Sequence, residues 1–309
     1  MNKAAVSDDW TLSVVLGRVS TEDGDRVLET IAALDEKESG APVEIVIADR
    51  LQDGISDRIR KEHPHVRLVP CPSDMTLPEM RLQAFDQTSG SIVAVTEDHC
   101  VPSPGWAGRV REAFAKGDDD LVAVGGSVVN GVCDRGLDWA TFICEYSFFS
   151  PPVVEGMTDA LPGMNVAYRR SVLEEADRER LRSGFWETTL HPGLVADGPT
   201  FYSSNQLAMF HKKKFSWRLF MAQRFIYSRY YAGLRFQNAG MAKRLAAGVA
   251  SLALPPILFY RMTRAIAKKG LQREFIRALP SLSTFIIIWA IGESYGAIFG
   301  PGDALARIE

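Results

Sequence analysis

The stretch Ser91-Ile92-Val93-Ala94-Val95-Thr96-Glu97-Asp98-His99-Cys100-Val101-Pro102 constrains the architecture more than any other part of the chain. Four of its first five residues are apolar, which suits a short strand covered on both faces of a parallel sheet. The run then meets two carboxylates and an imidazole, and Pro102 and Pro104 stop regular continuation. Open α/β sheets bind ligands just past the carboxyl ends of their strands. Glu97, Asp98 and His99 at such a point have the chemistry to hold a divalent cation. Oxygen donors suit magnesium or manganese, and the imidazole tilts the choice toward manganese. The plainer alternative is a solvated polar strand end.

The segments before this strand supply a sheet for it. Thr11–Leu16 and Glu44–Ala48 read as strands, and Val66–Val69 as a third. Between them, Thr21–Leu34 places Val27, Leu28, Ile31, Ala32 and Leu34 on one helical face. Gly40 and Pro42 break the chain, and Ser56–Glu62 reads as a helix. Pro78–Thr88 reads as another, opened by Pro78 and closed by Gly90. This β-α-β-α order predicts an α/β fold with a doubly wound, mostly parallel, Rossmann-like sheet. Further on, Trp106–Ala115 is helical and Leu121–Val124 is a strand. From Gly125-Gly126 to Pro162 the pattern is irregular and carries Trp139, Phe142, Tyr146, Phe148 and Phe149, either a wall around a substrate or a satellite core. Ser171–Arg182 reads as one charged helix.

Four cysteines, Cys71, Cys100, Cys133 and Cys144, form no Cys-x-x-Cys pair, so free thiols in a reducing compartment are expected. Met1–Trp10 has no apolar core of signal-peptide length, and a cytoplasmic N-terminal part is the expectation.

Four landmarks, in order, resemble the family 2 glycosyltransferases. Glu44–Asp49 looks like the family's second strand. Arg81 with Gly90 looks like its helix that begins with Arg and ends with Gly. Glu97-Asp98-His99 sits where the family carries Asp-x-Asp. Gly163-x-Asn165-x-Ala167-x-Arg169-Arg170, with Trp186-Glu187 downstream, looks like the acceptor side and the base. The resemblance covers roughly Thr11 to Arg235 and implies a GT-A fold, a nucleotide-sugar donor and a divalent cation, Mn2+ or Mg2+. There are departures: Gly17 where the family often has Pro, Arg50 where a second Asp often follows, and Glu97-x-His99 in place of Asp-x-Asp.

What the resemblance implies for residues is specific. Glu97 and His99 are the candidate metal ligands, and Asp98 is a contact for ribose or shares the metal. Asp49 and Arg81 are candidate donor contacts. Glu187 is the candidate general base of an inverting transfer, with Phe185 and Trp186 placed to raise its pKa. Gly163 and Asn165 shape the acceptor side. His191, four residues past Glu187, is expected on the same helical face, to bind diphosphate or orient the base.

The charge is divided unevenly. Lys212–Arg277 holds 15 Lys or Arg and one acid, leaving a net charge of −17 on the rest. Basic residues interleaved with aromatic ones in Lys212–Phe220 suit a lipid interface, and the uncharged runs that follow favour lipid over nucleic acid. Leu245–Tyr260 is uncharged but contains Pro255-Pro256, and Ala278–Gly302 carries Glu293 as its one charge. If both crossed a bilayer, the six Lys or Arg of Arg261–Arg277 would lie outside, against the positive-inside tendency. A first stretch that bends at Pro255-Pro256 and returns removes the conflict. The expectation is therefore a catalytic domain over 1–210 and a helical membrane-associated region over 211–309, at the cytoplasmic face of the membrane. The acceptor would be a membrane lipid, a lipid-linked glycan or a cell-surface glycan. Two other readings stay open, an inactive binding subunit with this fold and a nucleotidyltransferase. A homo-oligomer is also left open.

Overall fold

The structure, a computed structural model, describes residues 10–20, 22, 24–35, 41–118, 120–198 and 200–309. The N-terminal stretch Met1–Asp9, Thr21 at the expected start of the first helix, and Gly40 lie outside the described residues.

β1 (Leu12–Arg18) is buried along all seven residues. The cause is its position: it pairs in parallel with β2 (Val43–Asp49) on one side and β4 (Ile92–Glu97) on the other. A strand flanked on both edges and covered on both faces favours aliphatic residues, as at Leu12, Val14, Val15 and Leu16. β3 (Arg67–Pro70) continues the parallel set beyond β2. The crossovers are α1 (Arg26–Leu34), α2 (Gly54–Glu62) and α3 (Leu77–Phe85). α2 starts where Asp53 and Ser56 cap each other reciprocally, and α3 where Thr76 and Glu79 do the same.

Beyond β4 the chain forms β5 (Cys100–Pro102), α4 (Trp106–Lys116), β6 (Ala123–Asn130), α5 (Gly136–Tyr146), β7 (Gly156–Thr158) and β8 (Val166–Arg169). Short helices follow: α6 (Arg170–Glu175), α7 (Arg178–Ser183), α8 (Trp186–Thr189) and α9 (His191–Leu194). β9 (Phe201–His211) closes the sheet. The strand order is β3-β2-β1-β4-β8-β6-β9-β5, with β7 also against β9. The α/β architecture is the expected one. Its second half is mixed, because β8 runs antiparallel to β4 and β6 while β9 runs parallel to β6.

Three local expectations change. β6 runs through Gly125-Gly126 to Asn130 with a register shift against β9, where irregular chain was expected. The charged helix 171–182 is two helices, since Asp177 caps a new start by accepting from Glu179 N at 2.9 Å. The aromatic cluster Trp139, Phe142 and Tyr146 lies on α5 with ring centroids 6.0 and 5.9 Å apart. This is the satellite packing that the sequence left open as one alternative.

The described chain falls into two compact units. One runs up to Gly131 and resumes over Phe149–Lys213; the other joins Val132–Phe148 to Lys214–Glu309. A single cut at 210/211 therefore does not separate them, because α5 packs with the C-terminal helices. The second unit also holds α10 (Trp217–Phe236), α11 (Met241–Ser251), α12 (Leu254–Ala267) and α13 (Gln272–Phe299). α10 and α13 approach closely at Gly292 and Gly296, where a Cβ would meet the Phe225 and Arg229 carbonyl oxygens. Small residues one turn apart permit that approach. α11 and α12 meet at a 54° bend, just before Pro255 and Pro256 in the first turn of α12. Among the described residues α13 is the one single helix long and apolar enough to cross a membrane, and the bent pair α11–α12 meets the same test as a unit.

Candidate active site

All the residues of the site lie in the first unit, at the carboxyl end of β4 and on the segments that reach it. β4 delivers Glu97, the following turn delivers His99, and β9 delivers His211 opposite Cys100. His99 Nε2 lies 3.2 Å from Glu97 Oε2 and 3.1 Å from His211 Nε2. His99 Nδ1 lies 2.8 Å from Asp98 Oδ1. Burial opposes ionisation of Glu97, but the His99 hydrogen bond and the nearby positive charges of His99 and Arg81 outweigh it and bring the pKa down to about 2. Burial also opposes a charged His99, yet the Asp98 and Glu97 carboxylates that accept from its ring raise its pKa. His211 is driven the other way, to about 3, by burial and by the charge of His99. Ligating atoms of Glu97, His99, Cys100 and His211 all lie within 4.8 Å of one another. Burial and the neighbouring Glu97 and Asp98 push the Cys100 thiol well above its usual range. One carboxylate, two imidazoles and a thiol thus form a donor set with the chemistry to hold a divalent cation.

A second group faces the same strand end. Phe185 and Trp186 are almost fully buried, and the Trp186 indole donates to Leu181 O at 2.9 Å. These two anchors set the start of α8, so Glu187 in its first turn has little freedom. The Glu187 carboxylate lies 3.7 Å from Arg81 Nη1, and the Arg81 guanidinium lies over the Phe185 ring at 5.3 Å. Gly163 sits directly against the carboxylate, where a Cβ would collide with it. Burial raises the pKa of Glu187, the charge of Arg81 lowers it, and Glu97 raises it further, with a net upward shift. Glu187 Oε2 and Arg81 Nη1 face each other in that ion pair beyond hydrogen-bond distance, and these two atoms and Arg81 Nε are shielded from solvent without a hydrogen bond among the described residues. Buried polar groups left open in this way are rare and mark places where a ligand completes the bonding.

The sequence profile of Glycosyl transferase family 2 matches residues 20–176. The chain belongs to that family. Curated protein sequences contain no significant match. Among solved structures, a mannosyltransferase from Pyrobaculum calidifontis, PcManGT, determined with GDP-Man and Mn2+, is similar at a TM-score of 0.52 and 14% identity, over 93% of this chain and 88% of that one. GalNAc-T7, determined with UDP, GalNAc and Mn2+, is similar at a TM-score of 0.49 and 13% identity, over 67% of this chain and 44% of that one. The mannosyltransferase likeness supports the GT-A fold.

Within this family 2 chain, several expected site residues sit elsewhere or serve the scaffold. Asp49 was expected to meet the nucleotide, but its carboxylate is spent inside the protein. Oδ1 accepts from Arg18 Nη1 at 3.1 Å, Leu51 N at 3.1 Å and Gln52 N at 3.3 Å, and Oδ2 accepts from Ser56 Oγ at 2.5 Å. Arg18, which carried no expectation, is fully buried and also donates to Asp53 at 2.7 and 2.8 Å. Asp53, whose side chain is 40% exposed, is the carboxylate of this corner that faces solvent. Asn165 was expected at the acceptor. Its amide is wholly buried, accepting from Trp106 Nε1 at 3.1 Å and donating to Ser127 O at 3.1 Å and Leu207 O at 2.7 Å. It ties α4, β6 and β9 together. His191 shares no helix with Glu187, because α8 and α9 are separate turns. Burial drives its pKa down to about 4, so it is a neutral ring hydrogen-bonded through Nε2 to the Tyr168 hydroxyl at 2.7 Å. Asp98 stands behind His99 and orients its ring. Arg81, Glu97, His99, Gly163 and Glu187 are the expected residues that converge. His211 had no sequence signal beyond its place before Lys212-Lys213-Lys214.

Proposed function

We propose that this glycosyltransferase moves a sugar from a nucleotide diphosphate donor to an acceptor hydroxyl, with inversion at the anomeric carbon. One observation carries the reading: Glu187, in the first turn of α8 behind two buried aromatic anchors, has a raised pKa and pairs with Arg81 across 3.7 Å, facing the strand end that bears a carboxylate–imidazole group. In this reading Glu187 takes the acceptor's hydroxyl proton as that oxygen bonds to the anomeric carbon. The bond from that carbon to the diphosphate oxygen breaks, and the diphosphate leaves with the electron pair. Arg81 offers fixed N–H donors to the charge that develops. Glu97, His99 and His211 would hold a divalent cation, which supplies charge neutralisation for the diphosphate. Asp98, by accepting from His99 Nδ1, would leave Nε2 free to ligate. That PcManGT was solved with GDP-Man and Mn2+ supports a nucleotide sugar and manganese. The apolar α13 and the bent pair α11–α12 support a membrane-contacting second unit, and we infer from that reading a lipid-linked or cell-surface glycan acceptor at the cytoplasmic face.

The test is calorimetric titration of the full chain in detergent with UDP, GDP and TDP, with and without manganese, repeated for Glu97→Ala. The expected result is micromolar binding of one nucleotide that needs manganese and disappears in Glu97→Ala. Failure of every nucleotide under both conditions would overturn the transferase reading and favour an inactive binding subunit.

A further inference from the structure

The second unit holds a cavity of about 410 Å3 lined by Phe148, Tyr260, Arg261, Arg264, Lys268 and Lys269, with Ala265 at its wall. No carboxylate lines it. An aromatic ring, a hydroxyl and a carbonyl contact these cations. Arg261 lies over the Phe148 ring at 5.2 Å, Arg264 Nη1 donates to Tyr260 Oη at 3.2 Å, and Lys269 Nζ donates to Phe148 O at 3.0 Å. Each guanidinium has five N–H donors, so most of that capacity remains for an anion. Burial lowers the Lys269 pKa to about 8, as expected where an ammonium is partly removed from water.

The cavity continues an ordered surface. Ile257, Tyr260, Arg261 and Arg264 share one face of α12 by spacing, and Lys268 follows at its end. Ile257 is 49% and Tyr260 60% exposed, so this face passes from aliphatic to aromatic to cationic along one helix. α11 exposes Met241, Leu245 and Val249 at four-residue intervals. The same sequence of environments, acyl chain, interface and phosphate, is met along a lipid molecule at a bilayer surface. A free phosphate ion would use the cations but gain nothing from the exposed Ile257 and Tyr260.

We propose that this cavity binds the phosphate headgroup of an anionic membrane lipid, whose acyl chains lie along the apolar part of α12. The proposal rests on the membrane-contacting reading of the second unit and is independent of sugar transfer.

The test uses the full chain in flotation assays with phosphatidylcholine vesicles, with and without a minor fraction of phosphatidylglycerol. Three cations at an anionic surface should tighten binding by about tenfold or more. Arg261→Ala/Arg264→Ala/Lys268→Ala should lose that gain and keep its binding to neutral vesicles. Arg261→Lys/Arg264→Lys, which keeps the charge, should retain most of the gain. Equal binding to both vesicle types by the unmodified chain would overturn the proposal, as would a preference that survives the triple alanine variant. Inorganic phosphate is titrated in parallel at matched ionic strength. Saturable phosphate binding that the triple variant loses, with no vesicle preference, would assign the cavity to a free anion and overturn the lipid. Absence of binding to any vesicle would remove the membrane reading itself, an outcome distinct from binding that ignores headgroup charge.

Discussion

Glu187 and Gly163 act as a pair. If Glu187 is the base, Glu187→Gln keeps size and removes the proton acceptor, so turnover should fall by roughly 10²–10⁴-fold while nucleotide affinity stays unchanged by calorimetry. Gly163→Ala should displace the carboxylate by its added Cβ and lower turnover by about 100-fold, with a thermal midpoint near that of the parent. A Gly163→Ala enzyme of full activity would remove Glu187 from the reaction. His191 sets a different expectation, on stability. Its pKa in the fold is about 4, below the ordinary 6.5, so the unfolded chain binds the proton more readily between those values. Stability is then complete above about pH 6.5 and declines as the pH falls toward 4, by at most roughly 3 kcal/mol. His191→Gln keeps an acceptor for the Tyr168 hydroxyl and should flatten part of that acid slope in denaturant titrations.

At the scale of elements, two contacts decide whether the units hold their shape. Asn165 joins α4, β6 and β9 through three hydrogen bonds. Asn165→Ala would strand the Trp106 indole and two carbonyl groups, at a cost of about 3 kcal/mol, seen as a lower midpoint in urea. An acceptor-binding role would instead raise the acceptor KM and leave that midpoint alone. In the second unit, Gly296→Leu would drive a side chain into the α10 backbone at Arg229. Loss of about 1–3 kcal/mol is expected, read as earlier melting of helical circular dichroism. Tolerance of leucine there would mean that α10 and α13 are not closely packed.

For the whole molecule, the donor set Glu97, His99 and His211 predicts that chelation abolishes turnover and that manganese restores it better than magnesium, since two of three donors are imidazoles. His211→Ala should raise the manganese requirement by at least about tenfold, although His211 lies 112 residues from His99 in the chain. An enzyme indifferent to both treatments would separate this constellation from catalysis.

The parallel half of the sheet was legible in the order of residues, because β1, β2 and β4 are short apolar runs and the segments between them read as helices bounded by Gly and Pro. Those are local patterns, and local physics produces them. Glu97 and His99 were singled out by their place at a strand end and Glu187 through the resemblance, and the fold brings these three near one another. β9 was not: its centre, Ser203-Ser204-Asn205-Gln206, is polar, and it becomes a strand only by pairing with β6, β5 and β7. Its terminal His211 enters the site for that reason alone. The same holds for Asp49, Asn165 and His191. Their residue types invite ligand roles, and partners far away in the chain, Arg18, Trp106 and Tyr168, take up those hydrogen-bonding groups instead. Side-chain chemistry is written locally, but whether a polar atom is left for a ligand depends on which distant donors and acceptors the fold has already brought to it.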